Sequence, residues 1–203
     1  MRKTKRYPVS GSNSLWHIYQ TVPFFKVVKN FIVIQAARYT PFLGMKNWMY
    51  RTFLRMKIGE KCSFALMVMP DIMFPEKISV GRNTVIGYNT TILAHEYLIK
   101  EYRLGEVVIG DEVMIGANTT ILPGVEIGDG AVISAGTLVH KDVPPGAFVG
   151  GNPMRLIYTK EEMEKRLETP LNKERGLYLQ SKLKFMIVPF RNMLHTDPLL
   201  SDF

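Results

Sequence analysis

His95 is the residue of this sequence best placed to act as a general base. An imidazole with a pKa of about 6.5 can accept a proton near neutral pH. His95 stands where a regular six-residue repeat stops, at the start of a segment with several charges and two tyrosines. Function concentrates on loops that leave a rigid scaffold. We therefore predict that residues 94–106 form such a loop, with His95 at its start.

A base of this kind needs a second group that orients its ring. Three carboxylates lie in the same segment, those of Glu96, Glu101 and Glu106, and any backbone carbonyl could serve as well. Nothing in the sequence chooses among these candidates. The orienting group is therefore left open.

The repeat around His95 has a period of six. The aliphatic positions are Val80, Ile86 and Ile92, then Ile109, Ile115, Ile121, Ile127, Ile133 and Val139. Glycine often follows the aliphatic residue, and we predict that it turns a corner with positive φ. The fifth position is small or β-branched. A helix would need apolar residues near every 3.6 positions, and an ordinary strand would alternate over one short run.

This pattern predicts a solenoid in which each hexad is one strand and one corner. Three hexads would make one coil, and coils would stack about 4.8 Å apart. Ile109 should lie over Ile127, Ile115 over Ile133, and Ile121 over Val139. An earlier coil starts at Ile58, with Phe64 one hexad later. Its register slips before Val80, so we expect an insertion or bulge within residues 66–77.

The repeat and two motifs resemble those of the hexapeptide-repeat acyltransferases, in particular the maltose and galactoside acetyltransferase branch. The motifs are Lys-Asp-Val-Pro (141–144) and Gly-Gly-Asn-Pro (150–153), and the similarity is strongest over residues 78–157. The resemblance implies an all-β solenoid, a left-handed parallel β-helix, that uses acetyl coenzyme A as acyl donor. It also implies that His95 is the catalytic base, and that the protein is a homotrimer whose sites are shared between subunits.

The same resemblance assigns residues to the two substrates. Gly116, Ala117, Ala135 and Gly136 would let the pantetheine arm approach the main chain, and Met114 would form an apolar wall beside the acyl group. Lys141 and Arg155 would contact the coenzyme phosphates, since such groups bind cations, and His140 would line the adenosine end. For the acceptor, the candidates are Asp71 and Glu96.

The leading functional hypothesis is transfer of an acetyl or other short acyl group to a hydroxyl of a saccharide or cell-envelope precursor. An N-acyltransferase acting on an aminosugar is the nearest alternative, and a catalytically silent structural solenoid is an alternative of another class. A γ-type carbonic anhydrase would need three histidine ligands for zinc. The solenoid contains only His95 and His140, so we predict no metal.

The basic character of the chain lies in residues 1–57, which hold eleven Lys and Arg residues and no Asp or Glu. We predict a helical N-terminal cap there, with helices over 18–38 and 44–55. Aromatic residues mixed with cations also favour contact with an anionic membrane surface. Nucleic acid is not expected as a partner, since no recognition motif is present.

The remaining expectations concern the rest of the chain. The solenoid should span residues 58–157, and a C-terminal helical tail residues 158–203. In that tail, Thr159 should cap a helix over 160–168 with Glu162 as its partner, and residues 175–194 should form a second amphipathic stretch.

Cys62 is the one cysteine, so no intramolecular disulfide can form. No membrane span or signal peptide is visible, and we expect a cytoplasmic protein.

Overall fold

Short parallel strands stack into three sheets around a common core, in a computed structural model that describes residues 2–168. The first face holds β2 (Lys57–Ile58), β5 (Ile78–Val80), β10 (Val107–Ile109) and β13 (Glu126–Ile127). The second face holds β3 (Ser63–Phe64), β6 (Val85–Ile86), β11 (Met114–Ile115), β14 (Val132–Ile133) and β16 (Phe148–Gly150). The third face holds β4 (Met69–Pro70), β7 (Thr91–Ile92), β12 (Thr120–Ile121) and β15 (Leu138–Val139). The chain visits the faces in this order in every coil, so it forms a parallel β-helix.

The predicted aliphatic columns are confirmed. Ile109 pairs with Ile127, Ile115 with Ile133, and Ile121 with Val139. Each of these side chains is buried, and so are the small residues at the fifth position, among them Thr84, Thr90, Thr119 and Thr137. The threonine hydroxyls donate hydrogen bonds to backbone carbonyls, which satisfies their polar atoms inside the core.

The glycines at the corners serve a different purpose from the one predicted. Positive φ falls two residues later, at Asn83, Asn89, Glu112 and Asn118 and at further corner residues. The glycine that follows the aliphatic residue is required by close stacking of the coils. A Cβ atom on Gly116, for example, would lie 2.4 Å from the backbone nitrogen of Ala135.

Both interruptions of the repeat fall at the corner that leads from the third face to the first, here called the third corner. Between β4 and β5 the chain inserts residues 71–77, with a 3-10 turn at Pro75–Lys77. This is the insertion expected within residues 66–77. Between β7 and β10 it inserts residues 93–106. Successive coils therefore carry their extra residues at one edge of the prism.

The second insertion is a β-hairpin rather than the predicted loop. It consists of β8 (His95–Tyr97) and β9 (Glu101–Gly105), paired antiparallel. The N-terminal strand β1 (Thr4–Pro8) pairs antiparallel with β9 and completes a three-stranded sheet, here called the arm. Strand β1 was not predicted, because its partner residues lie 93 to 101 positions away in the sequence and outside the hexads.

Three helices follow β1: α1 (Ile18–Thr21), α2 (Phe24–Tyr39) and α3 (Leu43–Leu54). Pro23 separates the first two, where one continuous helix had been predicted. Helices α2 and α3 pack on the first coil. Side chains of the two helices donate hydrogen bonds to backbone carbonyls of residues 58–72. On α3, Lys46 donates to Phe64 and Ala65, Asn47 to Cys62, and Arg51 to Ile58 and Gly59; on α2, Asn30 donates to Ile72. These bonds satisfy groups that an open solenoid end would leave unpaired.

The last strand, β17 (Arg155–Tyr158), runs antiparallel to β16, and α4 (Lys160–Glu168) follows it. The predicted capping box is confirmed, since the Thr159 amide donates to Glu162 and the Glu162 amide donates to Thr159. Of the described residues, 2–163 belong to one compact unit. The amphipathic stretch predicted over 175–194 lies outside the described residues. Within residues 2–168, no helix has the length and apolar character that a membrane span requires.

Lys46→Met tests the cap. The Lys46 ammonium group is buried and donates to two carbonyls, Phe64 O and Ala65 O, both at 2.9 Å. Methionine keeps the length of the side chain but leaves both acceptors unpaired, so we expect the free energy of unfolding to fall by about 1–3 kcal/mol. Chemical denaturation measures this change. Lys57→Met, at an exposed position, should stay within about 0.5 kcal/mol of the parent; equal effects of the two substitutions would contradict the capping role.

Candidate active site

His95 and Asp71 form a hydrogen-bonded pair at the third corner. The distance between Nδ1 of His95 and Oδ2 of Asp71 is 2.6 Å. Asp71 directly follows β4, and His95 opens β8, so the pair joins the two insertions of successive coils. The side chain of Asp71 is 0% exposed and that of His95 is 17% exposed. The imidazole therefore has one side in the protein and one side at the surface.

The buried carboxylate of Asp71 is surrounded by donors. The Oδ1 atom accepts hydrogen bonds from the amides of Met73 and Phe74, both at 2.8 Å. The Oδ2 atom accepts from the amides of Ala94 and His95, at 2.7 and 3.1 Å, in addition to the imidazole. Burial alone would raise the pKa of Asp71. The hydrogen bonds from His95 and the backbone amides lower it by more, so the pKa lies below its usual value. The carboxylate is therefore charged at neutral pH.

This contact determines which nitrogen of His95 can act as a base. An ionised carboxylate only accepts hydrogen bonds, so in the neutral ring the hydrogen must lie on Nδ1. The lone pair is then on Nε2. Phe74 and Tyr97 flank the ring, with centroid distances of 6.0 and 5.1 Å from that of His95. The ring is thus held by a hydrogen bond on one edge and by aromatic contacts beside it.

The three glutamates considered as orienting groups pair with cations instead. Glu96 lies 2.8 Å from Arg2, Glu101 pairs with Arg6 and Arg103, and Glu106 lies 3.4 Å from Lys77. Glu96 and His95 are successive residues of β8, so their side chains point to opposite faces of the arm. Glu96 thus lies on the face of the arm opposite His95, and its contact with the acceptor stays a prediction.

Asp71 also differs from its prediction. It was expected to bind the acceptor, but its carboxylate has no exposed surface and is the orienting partner of His95. The sequence signal that could have found it is the alignment of β4 with β7, in which Pro70 pairs with Ile92. That pairing brings Asp71 beside the segment that leads into His95. The insertion at 71–77 concealed the alignment, because it shifts the register of the first coil.

The residues predicted for coenzyme A fall into two groups on this chain. Met114 lies on β11 with its side chain half exposed, and Gly116, Ala117, Ala135 and Gly136 lie at the corner between the second and third faces, here called the second corner. His140 and Lys141 follow β15 and lie at the third corner, two coils beyond His95. Arg155 lies exposed on β17, beside the second face.

The two groups are separated by the width of the third face. A hexad of extended chain spans up to about 20 Å, so Ala117 and Ala135 lie far from His95 within one chain. In the described part of the chain, His95 contacts Asp71, and His140 and Lys141 lie on the same edge two coils away. The described residues do not bring His95 to the glycines and alanines of the second corner. Among residues 2–168, no cluster of three or more His, Cys, Asp or Glu side chains is arranged to hold a metal ion.

Comparison with known sequences gives a family and close relatives. Residues 106–141 match the pattern described as "Bacterial transferase hexapeptide (six repeats)". The Bacillus subtilis (strain 168) protein named "Putative acetyltransferase YvoF" is 85% identical over 168 residues, which cover 83% of this chain and 98% of that protein. A similarly named protein of Staphylococcus aureus (strain MRSA252) is 48% identical over 154 residues, covering 76% of this chain and 96% of that protein.

Solved structures share the fold. A hexapeptide-repeat acetyltransferase of Vibrio cholerae in complex with acetyl coenzyme A has a TM-score of 0.57 at 21% identity, covering 66% of this chain and 87% of that one. A galactoside acetyltransferase in complex with coenzyme A has a TM-score of 0.54 at 23% identity, covering 70% and 84%. A maltose O-acetyltransferase of Clostridium difficile has a TM-score of 0.51 at 22% identity, covering 66% and 86%. At these identities the likeness establishes the architecture only.

Asp71→Asn tests the buried carboxylate through the acid stability of the protein. The folded pKa of Asp71 is lowered from 3.8, so its contribution to stability is present above that value and is lost as the pH falls through the folded pKa. We expect the thermal midpoint of the parent to drop below about pH 4, and the variant to show a lower midpoint at neutral pH and a smaller acid drop. Glu112→Gln, which removes the charge of an exposed carboxylate, provides the reference curve. Parallel curves for the parent and Asp71→Asn would contradict the assignment.

Proposed function

Because the chain belongs to the hexapeptide-repeat acetyltransferases, we propose that it transfers an acetyl group from acetyl coenzyme A to a hydroxyl of a saccharide or cell-envelope precursor, with His95 as the general base. The observation that carries the proposal is the 2.6 Å contact between His95 Nδ1 and the buried carboxylate of Asp71. That contact leaves Nε2 as the basic nitrogen. It occurs at an interruption of the repeat, where a substrate can reach the ring.

The reaction follows from these groups. Nε2 of His95 takes the proton of the acceptor hydroxyl as its oxygen attacks the thioester carbonyl of acetyl coenzyme A. The tetrahedral intermediate then collapses, the carbon–sulfur bond breaks, and the thiolate receives the proton from the imidazolium. Asp71 remains a carboxylate throughout and stabilises the imidazolium, because the opposite charge lies within hydrogen-bond distance. The products are the acetyl ester and free coenzyme A.

The separation of the two corners supports a site shared between subunits. His95 lies on the third corner and the glycines and alanines predicted for pantetheine lie on the second. A neighbouring copy that brings its second corner against the third corner of this chain would complete the site. Three copies related by a three-fold axis provide such a contact at each interface. We propose a homotrimer of left-handed coils, as the resemblance implies.

The exposed side chains on these surfaces are consistent with a coenzyme site. Ala135 and Gly136 are exposed and carry no bulky group, so a ligand can approach the main chain. Lys141 and Arg155 are exposed cations, and cations of this kind bind phosphate. Met114 is half exposed on the second face, beside the corner that carries Gly116 and Ala117. In this proposal these residues bind the donor, and His140 lines the adenosine end.

The proposed acceptor class, a saccharide, is argued from the surface beside His95. Tyr97 lies beside His95, and Tyr102 and Tyr7 extend the row across the arm, with centroids 5.8 and 4.6 Å apart. The Tyr97 hydroxyl is hydrogen-bonded to Thr21 at 2.7 Å, so the ring edges of the three tyrosines and the hydroxyls of Tyr7 and Tyr102 give the arm a mixed apolar and polar surface, which suits a saccharide. An aminosugar would present an amine to the same nitrogen. Acceptors that differ only in a hydroxyl or an amine at the reacting carbon separate the two alternatives.

His95→Ala tests the base. Removal of a general base costs roughly 10²–10⁴-fold in turnover, while the donor residues are unchanged. We expect the loss in kcat for an acceptor found by thiol release from acetyl coenzyme A, with donor binding retained in a thermal-shift titration. His17→Ala, at a histidine of the 3-10 turn Ser14–His17, is the matched control and should keep activity. Full activity of His95→Ala would exclude it as the base, and no thermal shift of the parent with acetyl coenzyme A would favour a silent scaffold.

Mixed trimers test the shared site. His95→Ala lacks the base, and Ala135→Trp blocks the exposed second corner, so each variant alone should be inactive. In every mixed trimer, one interface joins an intact His95 to an intact Ala135. If the two variants are expressed equally and assemble at random, about a quarter of all interfaces carry both intact residues, so we expect about a quarter of the parent activity. No rescue in trimers shown to contain both variants would mean that the site lies within one chain.

A further inference from the structure

The outer surface of the N-terminal helices is apolar, although these helices already bury a core-facing side. The exposed residues include Trp16, Tyr19, Phe25, Ile32, Trp48 and Phe53, here called the aromatic patch. Trp16 is 78% exposed and Phe25 is 82% exposed. Single exposed apolar residues are ordinary, but a contiguous apolar surface marks an interaction site. The aromatic patch therefore indicates a binding surface.

The patch is continuous across the helices. The rings of Tyr19 and Phe24 lie 5.5 Å apart, and those of Phe24 and Phe25 lie 5.7 Å apart. Lys29, one turn after Phe25, donates to the Phe53 carbonyl at 2.8 Å and so links α2 to α3. The Phe53 ring lies 5.2 Å from that of Trp48. Trp16 and Tyr19 line one surface pocket, so aromatic residues from the 3-10 turn, α1, α2 and α3 lie along one surface.

Cations accompany this surface and carboxylates do not. Within residues 1–57 there are eleven Lys and Arg residues and no Asp or Glu. Arg55 and Lys57 lie exposed beside α3, and Lys29 and Arg51 are also exposed, although each donates to a neighbouring backbone carbonyl. Lys26 is paired with Glu76 at 2.7 Å, and Lys46 is buried beneath the helices. Exposed aromatic residues with cations at their edges are the composition of an interfacial membrane-binding surface.

We propose that the aromatic patch docks the protein on a bilayer surface that contains anionic lipids. The rings would enter the interface between headgroups and acyl chains, and the cations would contact lipid phosphates. This inference rests on exposure and charge, and it holds whether or not acetyl transfer is the reaction.

The position of the patch in the fold favours a planar partner. Helices α2 and α3 cap the first coil, so their outer surface faces away from the solenoid at one end. In a trimer with parallel solenoids, three such caps would lie at the same end and could contact one plane together. A second copy that docked patch to patch would place cations against cations without carboxylates between them, which is unfavourable. The anionic bilayer is therefore the occupant that the observations favour.

Vesicle flotation tests the proposal with the full chain and no acyl donor, so that its result is independent of the reaction. The probes are equimolar phosphatidylglycerol–phosphatidylcholine vesicles and vesicles of phosphatidylcholine alone. We expect binding to the first and at least about tenfold weaker binding to the second. Raising the salt concentration should weaken the binding, because counterions screen the charges. Phe25→Ser should weaken binding to the anionic vesicles several-fold, and the double variant with Trp48→Ser should weaken this binding further.

Leu156→Ser is the matched control, since Leu156 is 54% exposed on the last strand, at the other end of the solenoid. It removes an exposed apolar side chain and should bind vesicles as the parent does. Circular dichroism and the thermal midpoint show that each variant is folded. Absence of binding to the anionic vesicles would overturn the proposal, and so would equal, salt-independent binding to both kinds. If the patch variants changed the oligomeric state in analytical ultracentrifugation and left vesicle binding intact, the patch would be an interface between copies.

Discussion

A carboxylate removed from water is the constraint on which the site depends. A buried charge is costly unless hydrogen bonds and an opposite charge compensate for it. Asp71 obtains this compensation from the amides of Met73, Phe74, Ala94 and His95 and from the imidazole of His95. These donors come from the insertions of two successive coils. The contacts that stabilise the buried charge therefore also hold the imidazole, so fold stability and the orientation of the base depend on the same group.

The second and third corners of the solenoid, which the proposed function uses, differ in structure. At the second corner, close stacking demands glycine, as at Gly116, and the third and fourth coils carry the small residues Ala117 and Ala135 there. At the third corner, the first two coils lengthen into residues 71–77 and the arm. Inserted residues at that corner leave the columns of the core unchanged, because the hexads resume with the same side chains inward. In the proposed function, this rigid scaffold carries the base on one edge and the coenzyme surface on another, and the neighbouring subunit of the proposed trimer joins them.

The parts of the structure that were predicted correctly are those with a local repeating cause. The period of six identified the columns from Ile109 to Val139, and the inward small residues followed from it. The placement of His95 at an interruption of the repeat was also visible. The partner of His95 was not, because the insertion that begins at Asp71 shifts the register between the first coil and the hexads that start at Val80. Pairing of β1 with the arm was missed for a similar reason: long-range antiparallel register depends on tertiary packing. The corner glycines were assigned to positive φ, whereas stacking distance is what excludes a side chain there.

The central claim is that Asp71 orients His95 so that Nε2 is the basic nitrogen. Nitrogen-15 NMR of the protein with labelled histidines tests it directly, since the chain has 4 histidines and the His95→Ala variant assigns the signal. At a pH where the ring is neutral, the account predicts a proton on Nδ1 and an unprotonated Nε2, and a shift of this balance in Asp71→Asn. A proton on Nε2 in the parent, or a tautomer unaffected by Asp71→Asn, would contradict it.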